Sequence, residues 1–360
     1  MQQGGVRIAV LGAGYWGTKL CREYAAIENS TGEVQLSYVV DFSESALEKI
    51  RKELEQPVYP STSPTYSSDY QRVLDDPNVE AVHIALPNDL HYQIASEALR
   101  KGKHVLLEKP IATNSREAFK LARLAEELGL VLQVGHIFRF NNAIRTVKEV
   151  MRSGRLGRIF YANLSWATYM EPLPVGRDIV FDLAPHPVDI LNYLLDEWPS
   201  RVDACGDSYI QKKENSEEVA TVNLEYPDQV LAHLYLSWIH HGAKERKVNL
   251  ICEKGTITCN ALDQKIQLDY DHTSVEVPVF PFDISNIIAD KSERPKDGVI
   301  GANNTIRDME YHFIEQIRKR GPQMSSALVG ARTVQVLEEI TAAMRTRRKS
   351  MPMLSFQNGV

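Results

Sequence analysis

Near its start the chain runs Val6-Arg7-Ile8-Ala9-Val10-Leu11 and then directly into Gly12-Ala13-Gly14-Tyr15-Trp16-Gly17. A short β-rich run that ends in G-x-G-x-x-G and opens a helical pattern allows few folds. Gly12 suits the tight turn off the strand. Gly14 lets the backbone approach a pyrophosphate, and Gly17 lets helix and strand pack closely. The first helical turn, carrying Tyr15 and Trp16, turns free N–H groups and a positive dipole end toward a phosphate. A second apolar run, Leu36 to Val40, ends at Asp41, some two dozen residues after the last glycine. An acid there can accept hydrogen bonds from the adenosine ribose hydroxyls and repels a 2′-phosphate. The expected cofactor is therefore NAD in preference to NADP.

The alternation continues. Helix patterns at Ser43 to Leu54, His91 to Lys101 and Ser115 to Leu128 separate apolar runs at Val79 to Leu86, His104 to Leu107 and Val131 to Val134. Short apolar runs between amphipathic helices make βαβ units and a parallel sheet covered on both faces. After a helix at Ala143 to Arg152 the texture changes to period-two alternation. Strands are predicted at Arg158 to Tyr169, Arg201 to Tyr209, Val219 to Tyr226, Gln229 to Trp238, Lys247 to Cys252, Thr256 to Cys259 and Lys265 to Tyr270. Two closing helices are predicted near Thr305 to Arg320 and Ala327 to Arg345, with a Pro-, Asp- and Gly-rich loop from Pro281 to Asn304. The expected architecture is α/β: an N-terminal doubly wound parallel sheet over residues 1–137, then an α+β domain with a large, mostly antiparallel open sheet over 138–360.

Composition narrows the partners. The net charge of −6 is not that of a nucleic-acid-binding domain. No apolar run approaches the length of a membrane span, and the polar N-terminus carries no secretory pattern. The four cysteines, Cys21, Cys205, Cys252 and Cys259, form no C-x-x-C, which fits inert thiols in a reducing cytoplasm. No metal site is expected; His240-His241 has no acid or cysteine at ligand spacing. Trp166, Trp198 and Trp238 read as core or interface aromatics, and the basic cluster Arg345, Arg347, Arg348, Lys349 as a solvated helix end.

Two further constellations carry chemistry. The apolar strand His104 to Leu107 ends in Glu108-Lys109-Pro110, and ligands of open α/β sheets bind outside the carboxyl ends of strands. A lysine there can stabilise a developing alkoxide, Glu108 can reach a nicotinamide ribose, and Pro110 is a candidate cis proline. The pattern alone fits equally a solvated strand-end lysine. In Asp182-Leu183-Ala184-Pro185-His186 the i, i+4 spacing puts both side chains on one helix face. A histidine titrating near neutrality suits proton abstraction from an alcohol; a capping aspartate beside an ordinary histidine has the same spacing. Pro185 belongs to a first turn, so a helix should start there and continue through Leu195.

Taken together, Gly12/Gly14/Gly17, Glu108-Lys109-Pro110 and Asp182-x-x-x-His186 resemble the glucose–fructose oxidoreductase / inositol dehydrogenase (Gfo/Idh/MocA) superfamily. Ala85-Leu86-Pro87-Asn88-Asp89-Leu90-His91 is similar to that family's loop over the nicotinamide ribose. The resemblance implies cofactor contacts from Pro87, Asn88, His91, Glu108 and Lys109. It also implies that Lys109, Asp182 and His186 are catalytic, and that a sugar or cyclitol alcohol is oxidised or reduced with NAD(P). Which of Lys109 and His186 acts as the base stays open. Gly135-His136-Ile137-Phe138-Arg139-Phe140-Asn141 and Arg177-Asp178-Ile179-Val180 are similar to stretches of UDP-N-acetylhexosamine or hexosaminuronate 3-dehydrogenases, although those commonly continue with Pro where this chain has Asn142. That likeness implies substrate contacts from Arg139, Asn141 and Arg177 and oxidation at C3 of a UDP-linked amino sugar. Inositol, free sugars and sugar phosphates are alternative substrates. A redox-neutral NAD-dependent glycosidase and a non-enzymatic NAD-binding sensor are alternative functions. The broad antiparallel sheet implies a homodimer or homotetramer.

Overall fold

Strand β1 (Val6–Leu11) is almost wholly buried, and its neighbours explain why. It pairs in parallel with β2 (Val34–Val40) on one side and with β4 (Ala81–Ile84) on the other. Beyond β2 lies β3 (Thr65–Ser67); beyond β4 lie β5 (His104–Leu107) and β6 (Leu132–Val134). The order β3-β2-β1-β4-β5-β6 reverses direction between β1 and β4, which opens a crevice at the carboxyl ends of those two strands. The computed structural model describes residues 4–174, 178–212, 217–270, 272–279, 304–319 and 323–350, apart from the side chains of 347–350.

The crossover helices follow from local signals. Helix α1 (Tyr15–Thr31) extends through a polar last turn that bonds back onto the helix. Asn29 donates to the Ala25 carbonyl and Thr31 to that of Ile27, and Gly32 closes the end at φ 68°. Helix α2 (Glu44–Leu54) is capped by Ser43. Helix α4 (Asn88–Arg100) and helix α5 (Ser115–Glu127) follow, the latter capped by Asn114. Strand β3 and the six-residue helix α3 (Tyr70–Asp75) were not expected; both are too short to show a period. Helix α6 (Asn142–Arg152) follows β6 after one turn of 3₁₀ helix.

The contacts divide the chain into Met1–Glu149 with Pro278–Val334, and Val150–Val277 with Gln335–Val360. A single cut at 137/138 assigned helix α9 (Thr305–Ile317) to the second domain. The contacts instead place it in the first unit. There Arg307 pairs with Glu23 at 2.9 Å, Arg318 pairs with Glu33 at 2.8 Å, and His312 meets Gln133 at 2.7 Å. Met309, Phe313 and Ile314 complete the core over α1 and β1. The predicted loop at Pro281 to Asn304 lies outside the described residues except for Asn304, which caps α9.

The second unit is built on eight strands in the order β14-β13-β12-β11-β7-β10-β9-β8. They are β7 (Ile159–Ala167), β8 (Arg201–Asp207), β9 (Val219–Glu225), β10 (Leu231–Ser237), β11 (Glu245–Cys252), β12 (Gly255–Asn260), β13 (Lys265–Tyr270) and β14 (Thr273–Val277). All neighbours are antiparallel except β7 and β10, which run parallel. A parallel pair needs a long connection. Helices α7 (Ile179–Leu183) and α8 (Pro185–Leu195) lie within it. One face of the sheet is apolar and buried: Ala162, Leu164 and Trp166 on β7, Leu234 and Leu236 on β10, Val248 and Leu250 on β11. Each such aliphatic side chain contributes roughly 1.5–3 kcal/mol relative to exposure. On the opposite face Leu231, Tyr161 and Ile251 form a cross-strand row, with Leu231 50% and Ile251 45% exposed. The last helix is α10 (Ala327–Ser350). Among the described residues no helix is long and apolar enough to cross a membrane.

Candidate active site

In the first unit the glycine motif forms a cradle whose shape depends on missing side chains. Gly12 has φ +105°, and a Cβ there would lie 2.4 Å from the Ala85 carbonyl oxygen. A Cβ on Gly17 would stand 1.8 Å from the Gly12 carbonyl oxygen, which no backbone adjustment of ordinary size relieves. At Gly14 a Cβ would meet nothing within 4 Å, so the outer wall of the cradle is open. Gly14 is also the N-cap of α1 and supplies no capping side chain. Asp41 is held in place by two amides: its Oδ2 accepts from Ala13 N at 2.7 Å and its Oδ1 from Ser43 N at 2.8 Å. Each oxygen keeps a lone pair for a ribose hydroxyl.

Around the carboxyl ends of β4 and β5, Pro87 and Asn88 are exposed at the start of α4. The Lys109–Pro110 bond is cis, as the sequence suggested. Lys109 is half-buried. Glu108 is buried, with Oε1 unpartnered and 3.5 Å from His83 Nε2. The Trp16 indole N–H is likewise buried without a partner. The buried, unpartnered indole N–H of Trp16, inside a glycine motif that opens a helix with no side-chain cap, fits a dinucleotide carrying a diphosphate and hydroxyls.

Three residues expected to touch ligand are buried and hydrogen-bonded to the scaffold. His91 is fully buried, its Nδ1 2.7 Å from the Pro110 carbonyl and its Nε2 2.9 Å from the Leu86 carbonyl. It ties the loop after β4 to the loop after β5. Burial pushes its pKa down and the two carbonyls push back. Arg139 is buried and donates to the Met324 carbonyl at 2.8 Å. Asn141, also buried, accepts from Ile144 N and so caps α6. Arg177 lies outside the described residues.

Asp182 and His186 belong to the second unit. Asp182 is in α7 and His186 in the first turn of α8, after Pro185 at its first position. Both are partly exposed. Around them stand three residues whose importance the sequence did not reveal. Trp238 donates its indole N–H to Asp182 Oδ2 at 3.2 Å. The Trp166 ring lies 6.3 Å from the His186 ring, and the Arg246 guanidinium 5.3 Å from the Trp166 centroid. Burial lowers Arg246 to about 10, and the charge of Asp182 opposes the fall. A signal for Arg246 did exist: it is in phase with Val248 and Leu250, but the expected strand began one residue later, at Lys247.

Other titratable groups have no such setting. Burial pushes Cys252 up to about 11 and Cys259 up to about 12, so both thiols stay protonated. Among the described residues no group of three His, Cys, Asp or Glu is placed to hold a metal ion.

Residues 6–136 match the model of the NAD-binding Rossmann fold of the GFO/IDH/MocA oxidoreductase family, and residues 144–258 match its C-terminal domain. A 1,5-anhydro-D-fructose reductase from Ensifer adhaerens is 27% identical over 56% of this chain and 67% of its own. A UDP-N-acetylglucosamine 3-dehydrogenase from Acidithiobacillus ferrooxidans is 29% identical over 58% of this chain and 60% of its own. These matches thus span about two thirds or less of the curated relatives. Among solved structures, the same organism's UDP-N-acetylglucosamine 3-dehydrogenase superposes with a TM-score of 0.76 at 22% identity, over 96% of this chain and 99% of that one. A levoglucosan dehydrogenase bound to NADH and levoglucosan gives 0.82 at 19% identity, over 95% and 98%. At these identities the superpositions speak for the fold. Both halves of the chain match the family's models, and the chain belongs to the GFO/IDH/MocA family of NAD-binding oxidoreductases.

Proposed function

We propose that this protein is an NAD-dependent dehydrogenase that oxidises or reduces a ring secondary alcohol of a sugar. The observation that carries the reading is the Asp182–His186 pair. Asp182 lies in α7 and His186 in the first turn of α8, two successive helices where the spacing suggested one, beside the buried Trp166, Trp238 and Arg246, in a chain whose other unit holds a dinucleotide cradle with Lys109 after Glu108. When bound, the cofactor supplies the nicotinamide that takes up or returns the carbinol hydride. His186 holds the hydroxyl proton in the direction of oxidation, Lys109 stabilises the developing oxyanion, and Asp182 orients the imidazole or a neighbouring hydroxyl. Asp41 selects NAD over NADP because its carboxylate occupies the ribose side of the cradle.

Sugar alcohols are favoured by the relatives, which are named for anhydrofructose, levoglucosan and UDP-N-acetylglucosamine. Within that class C3 of a UDP-linked amino sugar is tested first. Arg139 and Asn141, expected to recognise it, are buried and bonded to the scaffold, so a free or anhydro sugar belongs in the same panel. A homo-oligomer through the second sheet is proposed from the apolar row Leu231–Tyr161–Ile251 on its uncovered face; light scattering at micromolar concentration reads it directly.

The test is NADH formation at 340 nm from NAD with UDP-N-acetylglucosamine, levoglucosan, glucose, glucose 6-phosphate and myo-inositol. At least one should give NADH. Lys109→Ala and His186→Ala should each lower kcat by about 10²–10⁴ with NAD affinity nearly unchanged. Glycoside cleavage without net NADH would identify a redox-neutral glycosidase. NAD binding with no turnover of any probe would identify a sensor.

A further inference from the structure

A histidine stands on β4 where the burial pattern calls for an aliphatic side chain. The strand reads Ala81, Val82, His83, Ile84, all fully buried, and His83 pairs with Val10 of β1 and Leu106 of β5. Its two ring nitrogens have different neighbours. The Tyr24 hydroxyl, on α1, is 3.1 Å from Nδ1. Glu108 Oε1, just past the end of β5, is 3.5 Å from Nε2, and neither of those two buried atoms has another hydrogen-bond partner among the described residues. Glu310 Oε1, on α9, is 3.9 Å from Nδ1. Burial holds the Glu310 carboxyl well above the ordinary range, so it keeps its proton, and Glu108 is the acceptor that Nε2 faces. Burial also lowers His83, against the pull of Glu108, so the ring is neutral and carries one proton. The surroundings choose which nitrogen holds it. A buried tyrosine O–H needs an acceptor, and Nδ1 is within reach. When that hydroxyl donates to Nδ1, the ring proton is on Nε2 and points at Glu108 Oε1. The other tautomer would set a nitrogen lone pair against a buried carboxylate oxygen, which is repulsive. The Glu108 carboxyl is also confined by backbone: a Cβ on Gly135 would lie 2.9 Å from Oε2 and 3.0 Å from Oε1. At 3.5 Å the approach to His83 is long for a hydrogen bond, and a shift of about 0.5 Å closes it.

We propose that His83 is a positioning residue for the cofactor: its Nε2–H, fixed by Tyr24 behind the ring, holds the Glu108 carboxylate so that Oε2 accepts from the nicotinamide ribose. The inference rests on the reading that Glu108 meets that ribose. His83 is fully buried and does not need to touch the cofactor. Its effect should pass through Glu108 and disappear when Glu108 is changed.

Calorimetric titration of NAD into the full-length protein tests this with two amide substitutions. The amide of His83→Asn reaches the Nδ1 position and stops short of Glu108, so the NAD dissociation constant should rise about tenfold, the scale of a hydrogen bond to a charged group. His83→Gln carries an N–H donor to the Nε2 position and should keep the constant within about threefold of the wild type. Lost packing would weaken both variants alike, so the split between them separates positioning from stability. In a Glu108→Ala background His83→Asn should cost less than about twofold. If the variants do not give a native near-UV circular dichroism spectrum, 15N NMR of the histidine-labelled wild type decides. The His83 ring, assigned through nuclear Overhauser contacts to Tyr24, should be protonated at Nε2 and bare at Nδ1, and NAD should shift its Nε2 proton. A ring protonated at Nδ1, or an Nε2 proton that NAD does not move, overturns the proposal. Equal losses in His83→Asn and His83→Gln, or an unchanged affinity in His83→Asn while Glu108→Ala weakens NAD, also overturn it and leave the reading of Glu108 standing. A Glu108→Ala variant that binds NAD as tightly as the wild type, or a wild type that binds no NAD, overturns that reading and this inference with it.

Discussion

The two candidate centres are made of different materials. The dinucleotide cradle of the first unit is a backbone object. Its defining features are a positive φ at Gly12, a missing Cβ at Gly17 and amides that hold Asp41. The Asp182–His186 centre is a side-chain object. Its floor is assembled from Trp166 on β7, Arg246 on β11 and Trp238 just past the end of β10. Backbone geometry is dictated by a few contiguous residues, so it appears in sequence as a motif. A floor of side chains is dictated by strand pairing and appears only once the register is known.

That contrast can be broken by substitution. The largest effect is expected at Gly17→Ala. Its Cβ would overlap the Gly12 carbonyl, so helix and strand must separate, at a cost of roughly 2–3 kcal/mol or more and with loss of NAD binding. Calorimetric Tm and NADH fluorescence titration read both. A variant with unchanged Tm and affinity would mean that the cradle is not the rigid object described. Next comes Asp41→Ala, which should weaken NAD by about 10–100-fold through the lost charge-assisted hydrogen bonds, and weaken NADP less. An unchanged NAD-to-NADP ratio would remove Asp41 from cofactor selection.

A smaller effect separates structural from chemical use of buried charge in the first unit. Glu310 is fully buried, and both its carboxyl oxygens lack hydrogen-bond partners. Burial, then Glu23 and Glu108, hold its pKa well above the ordinary carboxylate range. The folded protein keeps that proton while the unfolded chain releases it above about pH 4.3, so this acid penalises stability increasingly as pH rises. Glu310→Gln should therefore raise stability by about 1 kcal/mol near pH 7.5 and leave it almost unchanged near pH 4.5. His83, 3.9 Å away, has the opposite sign. Burial lowers its pKa, so the ring stays neutral in the fold and its contribution is present above about pH 6.5 and lost as pH falls toward the folded value. Denaturation of wild type and His83→Asn at pH 7.5 and pH 5.5 checks this. An equal loss of stability on acidification in both proteins would contradict it.

How much of this was legible follows from the same distinction. β1 and β5 have the bounds their apolar runs suggest, and Ser43 caps α2 where a cap was expected. Helix α9 was found as a helix but assigned to the wrong unit. Its partners on α1, just before β2 and on β6 are more than 170 residues away, and no local period reports them. His91, Arg139 and Asn141 carry residue types that suit ligands, yet burial turned them to carbonyls and a helix cap. Arg246 was missed because a charged residue at a strand end is read as solvent-facing unless the alternation is carried through it.

The most direct test of the account pairs NAD affinity with turnover in His186→Ala. If the cradle binds and the second centre reacts, the wild type forms NADH from at least one panel sugar. His186→Ala should then lose about 10²–10⁴ in kcat while its NAD dissociation constant stays within about twofold. A fully active His186→Ala, or one that loses NAD affinity in proportion to its activity, would contradict the assignment.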